Sequence, residues 1–185
     1  MTIAVHELGV QHIPLLKEHF TALETDDRRL RFGIALKNEQ IEAYVDRIRF
    51  GEDVVFGVYS NDLRLIAVAH LASRCDPAEL GLSVLPEARG GGIGTVLFQR
   101  AVMRARNLRI TEIFMHCLAH NSTVLHIARK AGMRVVYNAG EADAWLVLPP
   151  GTPMTHGEEL VQDQVAMLDW ALKAALLGPR TAFGG

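Results

Sequence analysis

Residues 79–95 read Glu-Leu-Gly-Leu-Ser-Val-Leu-Pro-Glu-Ala-Arg-Gly-Gly-Gly-Ile-Gly-Thr: a short apolar strand pattern, a glycine-rich turn and the opening of a helical pattern. A strand that ends in such a turn and opens a helix presents backbone N–H groups to an anion, and the helix dipole adds a favourable potential. The chemistry is that of a phosphate cradle. Glycine suits the turn because a Cβ would block close approach of the backbone, and because some positions require positive φ. Arg89 places a cation beside the same oxygens. A dinucleotide-binding turn needs G-x-G-x-x-G, but counting from Gly90 the last position is Thr95, and counting from Gly92 it is Leu97. A P-loop needs a lysine after its last glycine, and none follows Gly92 or Gly94. What remains is R-x-x-G-x-G, filled by Arg89, Gly92 and Gly94, with Gly90, Gly91, Ile93 and Thr95 in the same turn. The alternative is a tight turn with no ligand. Four glycines ahead of a helix would be a costly way merely to reverse the chain.

A second stretch, residues 121–133, reads Asn-Ser-Thr-Val-Leu-His-Ile-Ala-Arg-Lys-Ala-Gly-Met, with Asn121 placed to cap a helix and Gly132 to end it. Together, the two stretches resemble the paired signatures of the GNAT N-acetyltransferases. The resemblance covers roughly Ile3 to Leu148 and is strongest from Glu79 to Met133. It implies a GNAT fold of the α/β (α+β) class: a mixed, mostly antiparallel sheet of six to seven strands, flanked by helices. In that sheet the strands at Glu79–Leu85 and Ile110–Leu118 run parallel and splay apart. It also implies acetyl-CoA as co-substrate, its pyrophosphate on Arg89 to Thr95 and its pantetheine arm against Asn121 and the backbone of Ser83, Val84 and Leu85. No metal is implied. Those backbone groups would also polarise the thioester carbonyl.

The reaction implied is direct attack by a primary amine, on a protein lysine or a small molecule. A lysine with pKa about 10.4 costs about 4 to 5 kcal/mol to neutralise near pH 7, so a base is valuable. Glu79 is the candidate, and it resembles the glutamate of Pat-type bacterial protein lysine acetyltransferases. A strand-end glutamate facing solvent is the competing reading; as a base it must be desolvated or act through a water chain. Many members of the family carry a tyrosine acid where this chain has Ala128. A thiol with pKa about 8.5 leaves as thiolate at a cost of about 2 kcal/mol at pH 7, so a water or a neighbour suffices. That departure also motivates a different class of function, a non-catalytic acyl-CoA-binding sensor.

Other residues have ordinary readings beside the chemical ones. His70 and His116 fall in strands and either line the wedge or sit satisfied in the core, while His126 is read as a surface or packing residue. Cys117 lacks a base partner for an acyl-carrying role. His116, His120 and His126 have no metal-ligand spacing. Residues 25–33, Thr-Asp-Asp-Arg-Arg-Leu-Arg-Phe-Gly, resemble the R-L-R-F segment that borders the acceptor site in Pat-type enzymes. Asp26 and Asp27 either attract a cationic amine or belong to a solvated charge run.

The elements that must position these groups follow from periodicity. Strands are expected at Ile3–Leu8, Val54–Tyr59, Leu63–Leu71, Glu79–Leu85, Ile110–Leu118, Met133–Tyr137 and Ala144–Leu148, and helices at His12–Leu23, Asn38–Ile48, Ile93–Asn107 and Asn121–Ala131. Asn38 is the expected cap of the second helix, and Ser60-Asn61-Asp62 turns the second strand into the third. Residues 1–148 then form one domain, residues 149–157 a proline- and glycine-rich linker, residues 158–177 an amphipathic helix and residues 178–185 a flexible tail. Val161, Val165, Leu168, Leu172, Ala175 and Leu176 make an apolar stripe on that helix. The stripe is expected to pack on the domain's own surface; the alternative is a homodimer contact.

Composition bounds the rest. With 185 residues, nearly half of them hydrophobic, the chain can bury one sizeable core. A net charge of −2 with no basic cluster argues against nucleic acid. Apolar runs fall short of a membrane span, and the first ten residues lack the pattern of a signal peptide. Cys75 and Cys117 form neither a disulfide framework nor a C-x-x-C pair, so a reducing cytoplasm is expected.

Overall fold

The computed structural model describes residues 3–73 and 77–177. Seven strands form one sheet in the order β1-β2-β3-β4-β5-β7-β6. They are β1 (His6–Leu8), β2 (Val54–Tyr59), β3 (Leu65–Ala72), β4 (Ala78–Val84), β5 (Glu112–Leu118), β6 (Arg134–Asn138) and β7 (Glu141–Val147). Six α-helices are described: α1 (Ile13–Thr21), α2 (Thr25–Phe32), α3 (Asn38–Asp46), α4 (Ile93–Asn107), α5 (Ser122–Lys130) and α6 (Pro153–Leu177). Cys75 and the tail at 178–185 lie outside the described residues.

Every neighbouring pair of strands is antiparallel except β4 and β5, which are parallel and pair only at Ala78↔Ile113 and Glu79↔Phe114. Beyond Glu79 the two strands part. This is the expected splay. One core fills the face covered by α4 and α5, with Phe56, Ala69, Leu80, Leu97, Ile113 and Ala128 at its centre. A second fills the opposite face, where Leu16, Phe20, Ile41 and Val45 of α1 and α3 pack on Val55 and Val68.

Several boundaries differ from the periodic reading, each for a local reason. The expected third strand began at Leu63, but Leu63 has φ 59° inside the turn closed by Ser60 N–H to Arg64 O (2.9 Å), so β3 starts at Leu65. Asn38 does not cap its helix: the cap position is Lys37, whose backbone N–H donates to Gln40 Oε1 at 2.9 Å. The charge run at residues 25–32 is a further helix, α2, where the periodic reading placed no element. Two of its arginines, Arg28 and Arg31, are used internally, and a third pairs on the surface. Arg28 donates to the carbonyls of Thr21, Leu23 and Leu36, Arg29 pairs with Asp26, and Arg31 lies over the rings of Phe20, Phe32 and Tyr44.

Helix α6 starts at Pro153, inside the stretch expected as a linker. It docks by polar contacts. Arg100 of α4, only 1 % exposed, reaches Glu159 Oε1 at 2.7 Å and Asp163 Oδ1 at 2.6 Å, with its guanidinium over Phe56. Asn107 adds a bond to Glu159 Oε2 at 2.6 Å. The apolar stripe expected to pack on the domain does not: Val161, Leu168, Leu172 and Leu176 are all more than 60 % exposed. The polar side of the helix holds the buried ion pairs, and the apolar side is left over.

Candidate active site

The glycine-rich turn has the backbone that glycine permits. Gly90 and Gly92 have φ of 83° and 77°, the left-handed region that costs side-chain-bearing residues about 1–2 kcal/mol, and Gly92 is the residue from which α4 departs. Gly94 is closely packed for a different reason: a Cβ there would stand 3.2 Å from Ile127 Cδ1, so a larger residue in the first turn of α4 would make the Ile127 side chain of α5 give way by a few tenths of an ångström. The N-terminal N–H groups of α4 therefore open onto the space between α4 and α5.

That space continues into the splay as a single cavity of about 630 Å³. Of the residues expected to hold a cofactor, Ser83, Val84, Arg89, Gly90, Gly92, Ile93, Gly94, Thr95 and Asn121 line it, together with Leu23, Asp27, Leu30 and Arg31 from the α1–α2 side. Leu85 and Gly91 do not. Leu85 is 1 % exposed, its N–H bonds Ile66 O at 2.9 Å and its carbonyl accepts from Ala88 at 2.9 Å, so neither backbone group faces the cavity.

The ladder between β3 and β4 decides which backbone groups do face it. Bonds alternate along an antiparallel pair. Because Leu85 bonds Ile66, the register Val68↔Ser83 and His70↔Gly81 turns the N–H and C=O of Ser83 and Gly81 toward β3. Leu82 and Val84 consequently direct theirs toward the splay. Leu82 was missed in sequence because a strand pattern carries no information about which edge is left open.

Asn121 caps α5, its Oδ1 accepting from Val124 N at 3.2 Å, while its Nδ2 donates to Leu30 O of α2 at 3.3 Å. Arg89 is also engaged with α2: its Nη2 lies 2.7 Å from Asp27 Oδ1, and its Nε donates to Val84 O at 3.1 Å. Two groups on the cavity wall, one from the glycine turn and one from the α5 cap, thus tie α2 across the opening. Asp26, in contrast, faces away and pairs with Arg29 at 2.8 Å.

Positions 79, 81 and 83 of β4, Glu79, Gly81 and Ser83, face the α1–α3 side of the sheet. Ser83 Oγ lies 2.7 Å from His19 Nε2, and His19 Nδ1 lies 3.0 Å from Leu65 O. Since Nδ1 must donate to that carbonyl, Nε2 accepts from the Ser83 hydroxyl. Burial holds His19 down to about 4, so the ring is neutral. Gly81 leaves room for Arg31, whose guanidinium a Cβ would strike, and Arg31 Nη2 donates to Tyr44 Oη at 2.8 Å. The Tyr44 hydroxyl in turn contacts His70 Nδ1 at 2.7 Å, and His70 Nε2 lies 3.5 Å from Asp53 Oδ2. Burial raises the Tyr44 phenol above its ordinary value, with Arg31 opposing and Glu79 and Asp53 adding to the rise. His70 and Tyr44 also border a separate cavity of about 610 Å³ beside α3, with Glu39 and Arg47 on its rim.

Glu79 is exposed and stands where β4 and β5 still pair, outside the lining of the splay cavity. It lies three residues, roughly 10 Å of strand, from Leu82. His126 proves to be on the cavity wall although exposed. His116 is not: it bonds Asp143 at 2.7 Å across β5 and β7. Ala128 is fully buried in the core. Cys117 is 4 % exposed, and burial, with Asp143 second, raises its thiol, which suits packing and not nucleophilic attack. Among the described residues no group of three or more His, Cys, Asp or Glu could hold a metal ion, and no helix is long and apolar enough to cross a membrane.

A mixed sheet whose two parallel strands splay over a glycine-rich helix start is an acetyltransferase architecture, and comparison with known proteins agrees. Residues 14–133 match the model of the acetyltransferase (GNAT) family. The chain belongs to the GNAT family. Solved structures of the same fold include the GNAT domain of S. lividans PAT, at TM-score 0.66 and 16 % identity over 78 % of this chain and 89 % of that one. They also include the spermidine N-acetyltransferase of Vibrio cholerae in complex with CoA and spermine, at TM-score 0.62 and 17 % identity over 78 % and 95 %. A third is the ribosomal-protein-alanine N-acetyltransferase of Brucella melitensis, at TM-score 0.60 and 15 % identity over 78 % and 99 %. Comparison with the curated proteins gives no match.

Proposed function

We propose that the protein is an acetyl-CoA-dependent N-acetyltransferase that acylates a primary amine by direct attack. One observation carries the reading: a single cavity runs from the left-handed glycines at the start of α4 into the open edge of β4. Its shape and donors fit CoA. The N–H groups of residues 90–95 and the Arg89 guanidinium would hold the pyrophosphate. The Leu82 and Val84 backbone groups would take the amides of the pantetheine, and Asn121 would border it. Bound there, the co-substrate supplies an acetyl thioester. A backbone N–H of β4 aimed at its carbonyl stabilises the oxyanion formed when the amine attacks.

The chain's own task is then to move one proton. The attacking nitrogen forms its bond to the carbonyl carbon, the C–S bond breaks and the thiol sulfur leaves with the electron pair. A proton released by the nitrogen passes to Glu79, which the strand spacing places too far for direct contact with a group at Leu82, so a chain of waters connects them. Ala128 offers no acid to the sulfur, and solvent supplies that proton.

The amine would approach from the α1–α3 side of β4, where Arg31 lines the CoA cavity and Tyr44 borders the neighbouring one. A protein lysine or a small amine satisfies this chemistry equally. Burial of Ala128 in the core favours a second reading, a sensor that binds acyl-CoA without turnover. Calorimetric titration of acetyl-CoA and CoA into the wild type and an Arg89→Ala, Gly92→Ala variant tests the site. Micromolar binding that the variant loses supports it, and no binding by the wild type refutes it. Release of CoA thiol in the presence of a panel of amines then separates enzyme from sensor.

A further inference from the structure

Helix α6 is amphipathic with its faces reversed. From Leu160 to Leu177 it carries three charged residues, and the domain takes all of them: Asp163 lies 2.6 Å from Arg100, Asp169 reaches His6 at 3.2 Å, and Lys173 donates to Tyr59 O at 2.9 Å and to Asp169 at 2.8 Å. Thr155, Glu159 and Ala166 are the buried residues of the helix. Trp170, 38 % exposed, packs edge-on against Tyr59 with ring centroids 5.0 Å apart. The side turned away from the domain holds Val161, Val165, Leu168, Leu172 and Ala175, spaced by alternating steps of four and three residues. Leu160, Met167 and Leu176 flank them, and no charge interrupts the row.

We infer that this outward face is the interface between two copies of the chain, paired along α6. Three observations select a second copy as the occupant. First, the four-three spacing is the seam of a two-helix coiled contact, in which a row of this kind interlocks with another like it. It is therefore self-complementary, as a two-fold interface requires. Second, the large apolar side chains of the face are each between 37 % and 80 % exposed, an apolar surface on the order of the roughly 800 Å² that each partner gives to a stable interface of standard size. A patch of that extent is beyond what a monomer ordinarily exposes. Third, the face lacks the lysines and arginines by which a helix lying on a lipid surface is held to the headgroups, since Lys173 is turned into the domain. The splay cavity is bounded by α2, β4, α4 and α5 and not by α6, so the pairing leaves the candidate active site of each copy open.

The test is the mass of the full chain in solution. Multi-angle light scattering after gel filtration at tens of micromolar is expected to give twice the 20.4 kDa of one chain. A Leu168→Glu, Leu172→Glu variant is expected to give a twofold lower mass. Both positions are more than 60 % exposed, so circular dichroism and CoA binding of the variant should match the wild type and show that it is folded. A wild type that is monomeric at this concentration overturns the inference, as does a dimer that survives both charges. A monomer that sediments with vesicles of three parts phosphatidylcholine to one part phosphatidylserine overturns it in favour of a lipid surface.

Discussion

Gly92 opens α4 at φ 77°, and nothing stands within 4 Å of where its Cβ would be. The penalty of Gly92→Ala is thus one of backbone conformation, about 1–2 kcal/mol, and not of collision. The variant is expected to unfold a few degrees earlier by calorimetry and to bind CoA at least tenfold more weakly, because relaxing φ turns N–H groups of the cradle. His19 gives a prediction in pH. Its folded value of about 4 lies below the ordinary 6.5, so the unfolded chain binds the proton more readily. The stability it contributes is complete above pH 6.5 and is lost as pH falls from there toward 4. Between pH 7 and pH 5 this amounts to about 2 kcal/mol, and urea unfolding at the two pH values should show a drop of that order that His19→Gln abolishes.

At the scale of the element, α2 forms one wall of the cavity. It is tied to the glycine turn by Asp27–Arg89 and to the α5 cap by Asn121–Leu30, and the first tie occupies the cation that a pyrophosphate would need. A carboxylate beside a phosphate site is also repulsive. Asp27→Asn is accordingly expected to tighten CoA binding about two- to fivefold, the worth of a partly exposed ion pair, and to reduce the dependence of binding on salt. Titrations at two ionic strengths check both, and weaker binding in the variant would mean that the pair positions Arg89 instead of restraining it. The element was hard to read in sequence for a physical reason. A helix of eight residues carrying five charges looks solvated, yet Arg28 is spent on carbonyls five to eight residues away and Arg31 on the rings of Phe20 and Tyr44, beyond the reach of the helix's own turns.

The whole molecule depends on how α6 is joined to the sheet. Arg100 is buried between Phe56, Glu159 and Asp163, and removing its charge leaves Glu159 buried without its cation. Arg100→Ala is expected to lower global stability by about 3–5 kcal/mol in denaturant unfolding. Burial works against ionisation of Glu159, but hydrogen bonds from Asn107 and Arg100 hold its carboxyl below the usual glutamate value. The contribution is present at neutral pH and lost as pH falls below the ordinary carboxylate range through the folded value. Acid should therefore loosen α6, which hydrogen exchange along residues 153–177 at pH 7 and pH 3 would register as lost protection.

Local chemistry in the sequence determined the glycine turn, the α5 cap at Asn121, the seven strand patterns and the presence of a terminal amphipathic helix, because each depends on residues within a few positions of one another. The parallel splay was legible only through the resemblance that the two signatures carry. Tertiary structure decided the rest. Which backbone groups of β4 face the cavity depends on the ladder with β3, which assigns Leu82 and Val84 to the open edge and withdraws Leu85. Whether the stripe on α6 turns inward depends on Arg100, fifty-nine residues before Glu159. A buried guanidinium must be paired, and satisfying it outweighs the packing of a few leucines, so the polar face of α6 is drawn in and the apolar face is left to solvent or a partner.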